Sequence, residues 1–331
     1  EYWDAENVNL DTINWYIVAQ ESTAATMFEN GELDQYQPTG DYAIKFAKEA
    51  EEGKYQYMVT DYPGTIGLRF NFINGGTSGL MSNVKIRKAI SYSIDREEMI
   101  DAVYGRYKPA YSYVAPAITF NGSSYRDQVG EVIEDEYNEY VGDPDKIVAL
   151  FQEGLDELGV ETPIEDITLT YLTSGSTTEG QAEREYIQQS LEETLGLTVE
   201  LSVAGDTSLF IADRNEGNYD FFLGGWYSDY NDPLDFLYTN YTDAYGMSFG
   251  GYSNSDYDAL ADQLVGETDM DKRLDIYKQM EQILLLDDCA FAPIYYSTKQ
   301  VLLQNWVKDY RTSSFGASAE FIWTYIDGKN Q

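Results

Sequence analysis

Three observations together predict an α/β fold. Over residues 167–223, apolar strand-like runs alternate with helix-period segments in the order β-α-β-α-β, the pattern of parallel strands joined by crossover helices. Two segments, 144–158 and 271–286, carry apolar residues at helical spacing over three or more turns. The chain has 331 residues, room for roughly two domains of about 150 residues each, and its 43% hydrophobic, 24% charged composition is globular.

Taken in order, residues 10–18 alternate apolar and polar before becoming continuously apolar, which predicts a strand entering a core. A short helix is expected over 23–32, stopped near Gly31. Residues 55–58 and 67–73 alternate again and read as strands, and 74–79 is a glycine-rich turn. A helix over 83–93 follows, with Val84, Ile86, Ala89 and Ile90 on or near one face. Asp95 and Glu98 have the spacing of a capping signal and open a second helix to about Tyr104.

Asp143 before Pro144 is an N-cap followed by proline at the first helical position. From there Ile147, Leu150, Phe151, Leu155 and Leu158 keep the helical period up to Gly159. Then come a strand over 167–172, a helix over 181–195 ended at Gly196, and a strand over 197–203. A short helix over 208–214 and a strand over 219–223 complete the crossover pattern. Helices over 255–265 and 271–286 and a strand over 291–303 close the chain, with no internal repeat or low-complexity tract.

Charge and residue counts remove whole classes of function. With 21 basic against 58 acidic residues the net charge is −37, so nucleic acid, which must be neutralised by a basic surface, is excluded as a partner. Anionic membrane surfaces are disfavoured for the same reason. There is no histidine and a single cysteine, Cys289. That rules out Ser-His-Asp and Cys-His catalysis, histidine-containing zinc sites, thiolate clusters and an intrachain disulfide. No cofactor is called for. No stretch approaches the ~18 apolar residues of a membrane span. The sequence opens at Glu1 without a methionine, signal segment or lipobox cysteine, and is read as processed or cut from a longer protein.

The densest aromatic and acidic segment, 224–236, follows directly on the strand at 219–223. In open α/β sheets ligands bind beyond the carboxyl ends of strands. Gly224 and Gly225 let the backbone pass close to a partner, and Trp226, Tyr227 and Tyr230 offer flat apolar faces with polar tips. Asp229 among them is suited to a cationic group in a partly desolvated pocket. The alternative is a surface turn whose aromatics cover the core. Arg214, just before the strand, is a candidate for holding a carboxylate through two parallel hydrogen bonds, or else pairs with surface acids such as Asp213 or Glu216.

Asp229, Asp232 and Asp235 share a three-residue spacing. A metal cluster or catalytic carboxylate pair there is disfavoured, because the segment lacks a calcium-loop pattern and Pro233 interrupts it. The turn at 74–79 lacks the Gly-Lys-Ser/Thr of a phosphate loop. Most of the 30 tyrosines suit half-buried faces, and some suit a recognition surface.

Several segments in order resemble the extracellular solute-binding proteins of peptide-type ABC importers, the family-5 oligopeptide, dipeptide and nickel binders. They are Tyr2-Trp3-Asp4 with Val8 to Ile13; Phe28 to Asp34; and Phe70 to Asn74 followed by Val84 through Asp95-Arg96, the most specific of them. Gly225-Trp226 with Asp229-Tyr230 and Pro233, Tyr252 to Asp258, and Ala292 to Tyr296 complete the set. The resemblance implies a type II periplasmic-binding-protein fold, a venus flytrap closing on oligopeptide between two lobes and delivering it to ABC permease subunits. Residues 1–64 would be a partial lobe I, 65–297 a nearly complete lobe II, and 298–331 the return to lobe I, with a C-terminus at 323–327 read as native.

On this resemblance Asp229 falls where peptide binders meet the ligand α-amino group, Trp226 beside the side-chain pockets, and Arg214 at the spacing of a carboxylate-contacting arginine. A second such arginine is replaced by Leu223, and a basic residue after the Asp-Arg helix start by Tyr104. Asp95 and Arg96 read as capping and packing. The expected protein is a non-enzymatic, monomeric receptor, lipid-anchored at the extracellular face or periplasmic. Another solute on the same fold (an oligosaccharide, nickel chelate or opine) is the alternative, with a carboxylate-based hydrolase as the alternative of another class. Negative charge would steer cationic peptides or simply maintain solubility.

Overall fold

The computed structural model describes residues 2–175, 177–244, 249–316 and 319–329. The first elements are α1 (Glu21–Glu29), β1 (Gln35–Tyr36), α2 (Gly40–Glu51) and β2 (Gln56–Phe70). They are followed by α3 (Val84–Tyr92), α4 (Arg96–Met99), β3 (Lys108–Pro109), β4 (Thr119–Phe120), β5 (Ser123–Ser124), α5 (Tyr125–Val129), α6 (Glu134–Tyr140) and α7 (Pro144–Leu158). The crossover region comprises β6 (Thr168–Ser174), α8 (Thr178–Leu195), β7 (Thr198–Ala204), α9 (Thr207–Glu216) and β8 (Phe221–Tyr227). Last come α10 (Pro233–Leu237), α11 (Ser255–Gln263), α12 (Met270–Gln282), β9 (Phe291–Leu303), β10 (Val307–Lys308) and β11 (Tyr325–Ile326). None of the helices is long and apolar enough to cross a membrane among the described residues.

The chain divides into two compact units, one of residues 1–62, 104–107 and 298–331, the other of 63–103 and 108–297. In the first unit β1 pairs antiparallel with the end of β9, and α1 and α2 bury an aromatic core. Phe28 lies edge-on to Phe46 at 5.7 Å, with Tyr36 and Tyr55 against the same ring. Leu302 of β9 closes this cluster, and a second cluster gathers Val301, Leu303, Val307 and Tyr310.

The strand expected at 10–18 does not form; Trp15, Tyr16 and Ile17 are exposed. Alternation marks two faces, but a strand also needs an edge to pair with, and the extended segment finds none among the described residues. Conversely, α2 has no counterpart in the sequence reading, although Ala43, Phe46, Ala47 and Ala50 repeat at helical spacing on one face.

In the second unit the sheet runs β9-β2-β8-β6-β7 with β3 on the outer side of β9. β6 pairs parallel with both β7 and β8, so the crossover region is parallel and β6 lies between its two companions. β2 is antiparallel to β8, which makes the whole sheet mixed. Asp95 and Asp143 act as the caps expected of them, and Asn83 and Asp206 do the same, each accepting backbone N–H bonds at the starts of α4, α7, α3 and α9 respectively. Gly159, Gly196 and Gly217 end α7, α8 and α9 in left-handed conformation. Gly154 lets α7 approach α3, since a Cβ there would sit 2.6 Å from Ile86. Strands expected separately at 55–58 and 67–73 are instead one strand, β2, which continues through Pro63 and Gly64.

Candidate functional site

β8 leaves the sheet with an unusual run, Gly224-Gly225-Trp226-Tyr227. Its register against β2 sets Tyr227 opposite Gly64, Trp226 opposite Thr65 and Gly225 opposite Ile66. A Cβ at Gly225 would lie 1.8 Å from the Thr65 carbonyl oxygen, and one at Gly67 would lie 2.2 Å from the Ala292 oxygen. Glycine is what allows the strands to approach this closely. Gly64 similarly leaves room for the Tyr227 ring, 2.3 Å from where a Cβ would stand.

The loop beyond β8 is tied at every turn. The Ser228 N–H donates to Pro63 O at 2.7 Å, and the Ser228 hydroxyl to Tyr230 O at 2.6 Å. Asn231 clasps Thr119 twice, accepting its N–H at 2.8 Å and donating to its hydroxyl at 2.6 Å. Asp232 caps α10 through the Leu234 N–H, with Pro233 at the first helical position. Asp232 also accepts the Tyr277 hydroxyl at 2.8 Å, and the Arg273 guanidinium lies 3.6 Å away. Ser297 donates to the Tyr227 hydroxyl at 3.2 Å.

On this fixed loop Tyr227, Asp229 and Tyr230 are exposed, and Trp226 is half-buried. Among the described residues the Asp229 carboxylate has no hydrogen-bond or ion-pair partner, while its own N–H is held by Asp235 at 2.9 Å. The Tyr230 phenol is pushed above its ordinary pKa, first by burial and then by Asp235, Asp232 and Asp229, with Arg273 opposing. The arrangement leaves one carboxylate of the loop unpartnered among the described residues, near the Tyr230 phenol. Beside it a groove of about 420 Å³ is lined by Phe120, Asn231, Asp232, Glu267, Met270 and Arg273.

Trp226, Tyr227, Asp229 and Tyr230 are thus gathered by one strand end and one loop. Arg214 is not with them. It sits in the last turn of α9, which runs back along the sheet and delivers the chain to the start of β8, while Asp229 lies past its end. A seven-residue strand, about 20 Å long, separates the two ends. Arg214 instead acts on the Tyr219 phenol, where it partly offsets the upward push of burial. Leu223 lies within β8 opposite Leu68, and Tyr104 is buried.

The three aspartates at three-residue spacing do three different things: Asp229 faces solvent, Asp232 caps α10, and Asp235 accepts hydrogen bonds from Trp226 and Asp229. Asp235 was missed as part of the site by sequence reasoning, which saw it only within the spaced triplet. Its signal was the Asp232-Pro233 helix start, which places position 235 in the first turn of a helix facing back on the loop. Arg96, the signature arginine, is wholly buried and donates to Ala110 O and Pro293 O, with its guanidinium 4.2 Å from the Tyr137 ring centre.

Comparison with known proteins identifies the family. Residues 1–248 match the family model of the bacterial extracellular solute-binding proteins, family 5. The chain is 30% identical over 306 residues to the dipeptide-binding protein DppE of Bacillus subtilis, covering 92% of this chain and 52% of that protein. It is 28% identical over 316 residues to the oligopeptide-binding protein OppA of the same organism, covering 93% and 53%. Among solved structures, Listeria monocytogenes OppA bound to peptide superposes with a TM-score of 0.76 at 30% identity, over 99% of this chain and 60% of that one. An oligopeptide ABC transporter substrate-binding domain from Bacillus anthracis gives 0.79 at 25% identity, over 99% and 61%. The chain spans about half the length of the curated relatives it matches. The α/β architecture is that of the type II periplasmic binding proteins. The chain belongs to family 5 of the bacterial extracellular solute-binding proteins.

Proposed function

We propose that this protein is the receptor of an ABC importer, capturing oligopeptides outside the cytoplasmic membrane and handing them to the permease subunits. It acts as a binder and not as an enzyme. It works as a monomer, either lipid-anchored at the extracellular face or free in a periplasm. In this reading Asp229 receives the peptide α-ammonium, and Trp226, Tyr227 and Tyr230 form the apolar walls around the first residues.

The observation that carries the reading is the contrast within one loop. Asp232 and Asp235 are both engaged, whereas Asp229 is tied only through its backbone N–H and its carboxylate has no partner of its own among the described residues. Of the loop's three carboxylates it is the one open to a cationic group. Aromatic walls supply contact area without demanding one particular side chain, which suits a receptor for varied peptides. Arg214 stands outside this cluster and is assigned no contact with the same end of the peptide.

Native mass spectrometry of the protein purified from its own cells, compared with a denatured sample, tests the reading. Release of short peptides on denaturation supports it; release of glycans or a metal chelate overturns the ligand class. Asp229→Ala is expected to cost about 2–5 kcal/mol of peptide affinity, as when a charge pair buried in a complex loses one partner.

A further inference from the structure

We propose that Asp235 is the positioning residue of the site: its single oxygen Oδ2 locks together the indole of Trp226 and the backbone of Asp229, and so aims both at the ligand. This rests on the reading of Asp229 as the ammonium anchor. The Trp226 indole N–H donates to Oδ2 at 2.8 Å, and the Asp229 N–H donates to the same oxygen at 2.9 Å. Asp235 itself is only 7% exposed and stands in the first turn of α10. That helix is anchored by the Asp232 cap, which in turn is held by Tyr277 and Arg273.

The consequence is geometric. The indole has one donor, and with that donor satisfied on a fixed helix the ring plane of Trp226 is set. The Asp229 amide is set by the same atom, so the wall and the anchor cannot move independently. Hydrogen bonds onto a carboxylate are short and strong, and here both converge on one acceptor. Among the described residues no cation pairs with Asp235, so its role is to receive these donors rather than to neutralise a basic side chain.

Because both donors share one oxygen, the geometry and the charge can be separated. Asp235→Asn keeps a carbonyl oxygen able to accept both bonds and removes the charge. Asp235→Ala removes the acceptor. The whole protein is presented with an equimolar library of unmodified di- to pentapeptides and with its N-acetylated counterpart, and bound peptide is read by native mass spectrometry. Wild type is expected to favour the unmodified library. Asp235→Ala is expected to lose about 10- to 100-fold in affinity for unmodified peptides, as when a hydrogen bond to a charged group is lost, and clearly less for acetylated ones, which lose only the set of the Trp226 wall. Asp235→Asn is expected to restore the preference, and the Trp226 indole N–H resonance should shift in the Ala variant and return in the Asn variant.

Equal weakening of both libraries by Asp235→Ala would assign Asp235 to general fold support and overturn the proposal. So would retention of the full preference in Asp235→Ala. If the Ala variant does not fold, Asp235→Glu, which moves the acceptor by one methylene while keeping the charge, is read by the same criteria. A wild-type protein without preference, or an Asp229→Asn variant that keeps it, removes the anchor reading itself. Loss in Asp229→Asn with none in Asp235→Ala removes only the positioning role.

Discussion

Gly225 of β8 lies against Thr65 of β2 so closely that a methyl group on its Cα would stand 1.8 Å from the Thr65 carbonyl oxygen. Backbone cannot yield as a side chain can. Gly225→Ala is therefore expected to force β8 away from β2 and destabilise the protein by about 1–3 kcal/mol or more. At Gly64 the obstacle is the Tyr227 ring instead. Gly64→Ala should cost less stability but swing Tyr227 from its place against Gly64 and Ser297. Denaturant unfolding and peptide affinity, measured on both variants, should rank them in opposite order.

A second prediction concerns the buried pair of Arg126 and Glu281. Glu281 is wholly inaccessible, accepts the N–H groups of Tyr113 and Val114 at 3.2 and 3.1 Å, and takes the Tyr125 hydroxyl at 3.0 Å. The Arg126 guanidinium completes its shell. Glu281→Ala strands a buried cation and three donors, and the expected loss is about 3–5 kcal/mol. Replacing Arg126 and Glu281 together with apolar residues of similar volume should recover part of it. Equal stability of the single and double variants by chemical denaturation would contradict this account.

Arg96 gives a third. Its Nε donates to Pro293 O at 2.8 Å and Ala110 O at 3.1 Å, while Nη2 at the other end of the planar fork donates to the Ser91 hydroxyl at 3.1 Å. A lysine ammonium is a single point and cannot span them. Arg96→Lys should cost about 2–3 kcal/mol or more, because buried carbonyls are left without donors. Differential scanning of the two proteins side by side checks it.

The fourth prediction is one of pH. Burial pushes the Cys289 thiol up from 9.0 to about 11, with Arg87 acting the other way. An acid whose folded pKa is raised keeps its full stability contribution below the unfolded value and loses it as pH climbs through the folded one. Stability should thus decline between about pH 9 and 11, and Cys289→Ser or Ala should flatten that part of the profile. At pH 8 a thiol reagent should label Cys289 only at the rate of opening. Rapid labelling of the folded protein would show the thiol to be reachable.

How far the site was legible in the sequence follows from which interactions are local. Asp143-Pro144, Asp95 with Glu98, and Gly159 and Gly196 act within one helical turn of themselves, so the ends of α4, α7 and α8 could be read directly. The crossover order over 167–223 likewise implied parallel pairing, which β6 makes with β7 and β8. The segment at 10–18 misled because its alternation was real but its partner edge was not there. Two strands were expected at 55–58 and 67–73, yet one strand runs through Pro63 and Gly64, with the Pro63 carbonyl taken up by Ser228 from far along the chain.

By itself, then, the sequence determined most of the helix ends, the parallel crossover, the exclusion of histidine and thiolate chemistry, and the family. Tertiary structure alone decided the rest. It set Arg214 at the far end of β8 from Asp229, brought Gly225 against the Thr65 carbonyl, and divided three evenly spaced aspartates into an exposed carboxylate, a cap and a clasp. The reason is physical: periodicity and capping are encoded between near neighbours. Which carboxylate stays free depends on what the folded chain brings within 3 Å of each.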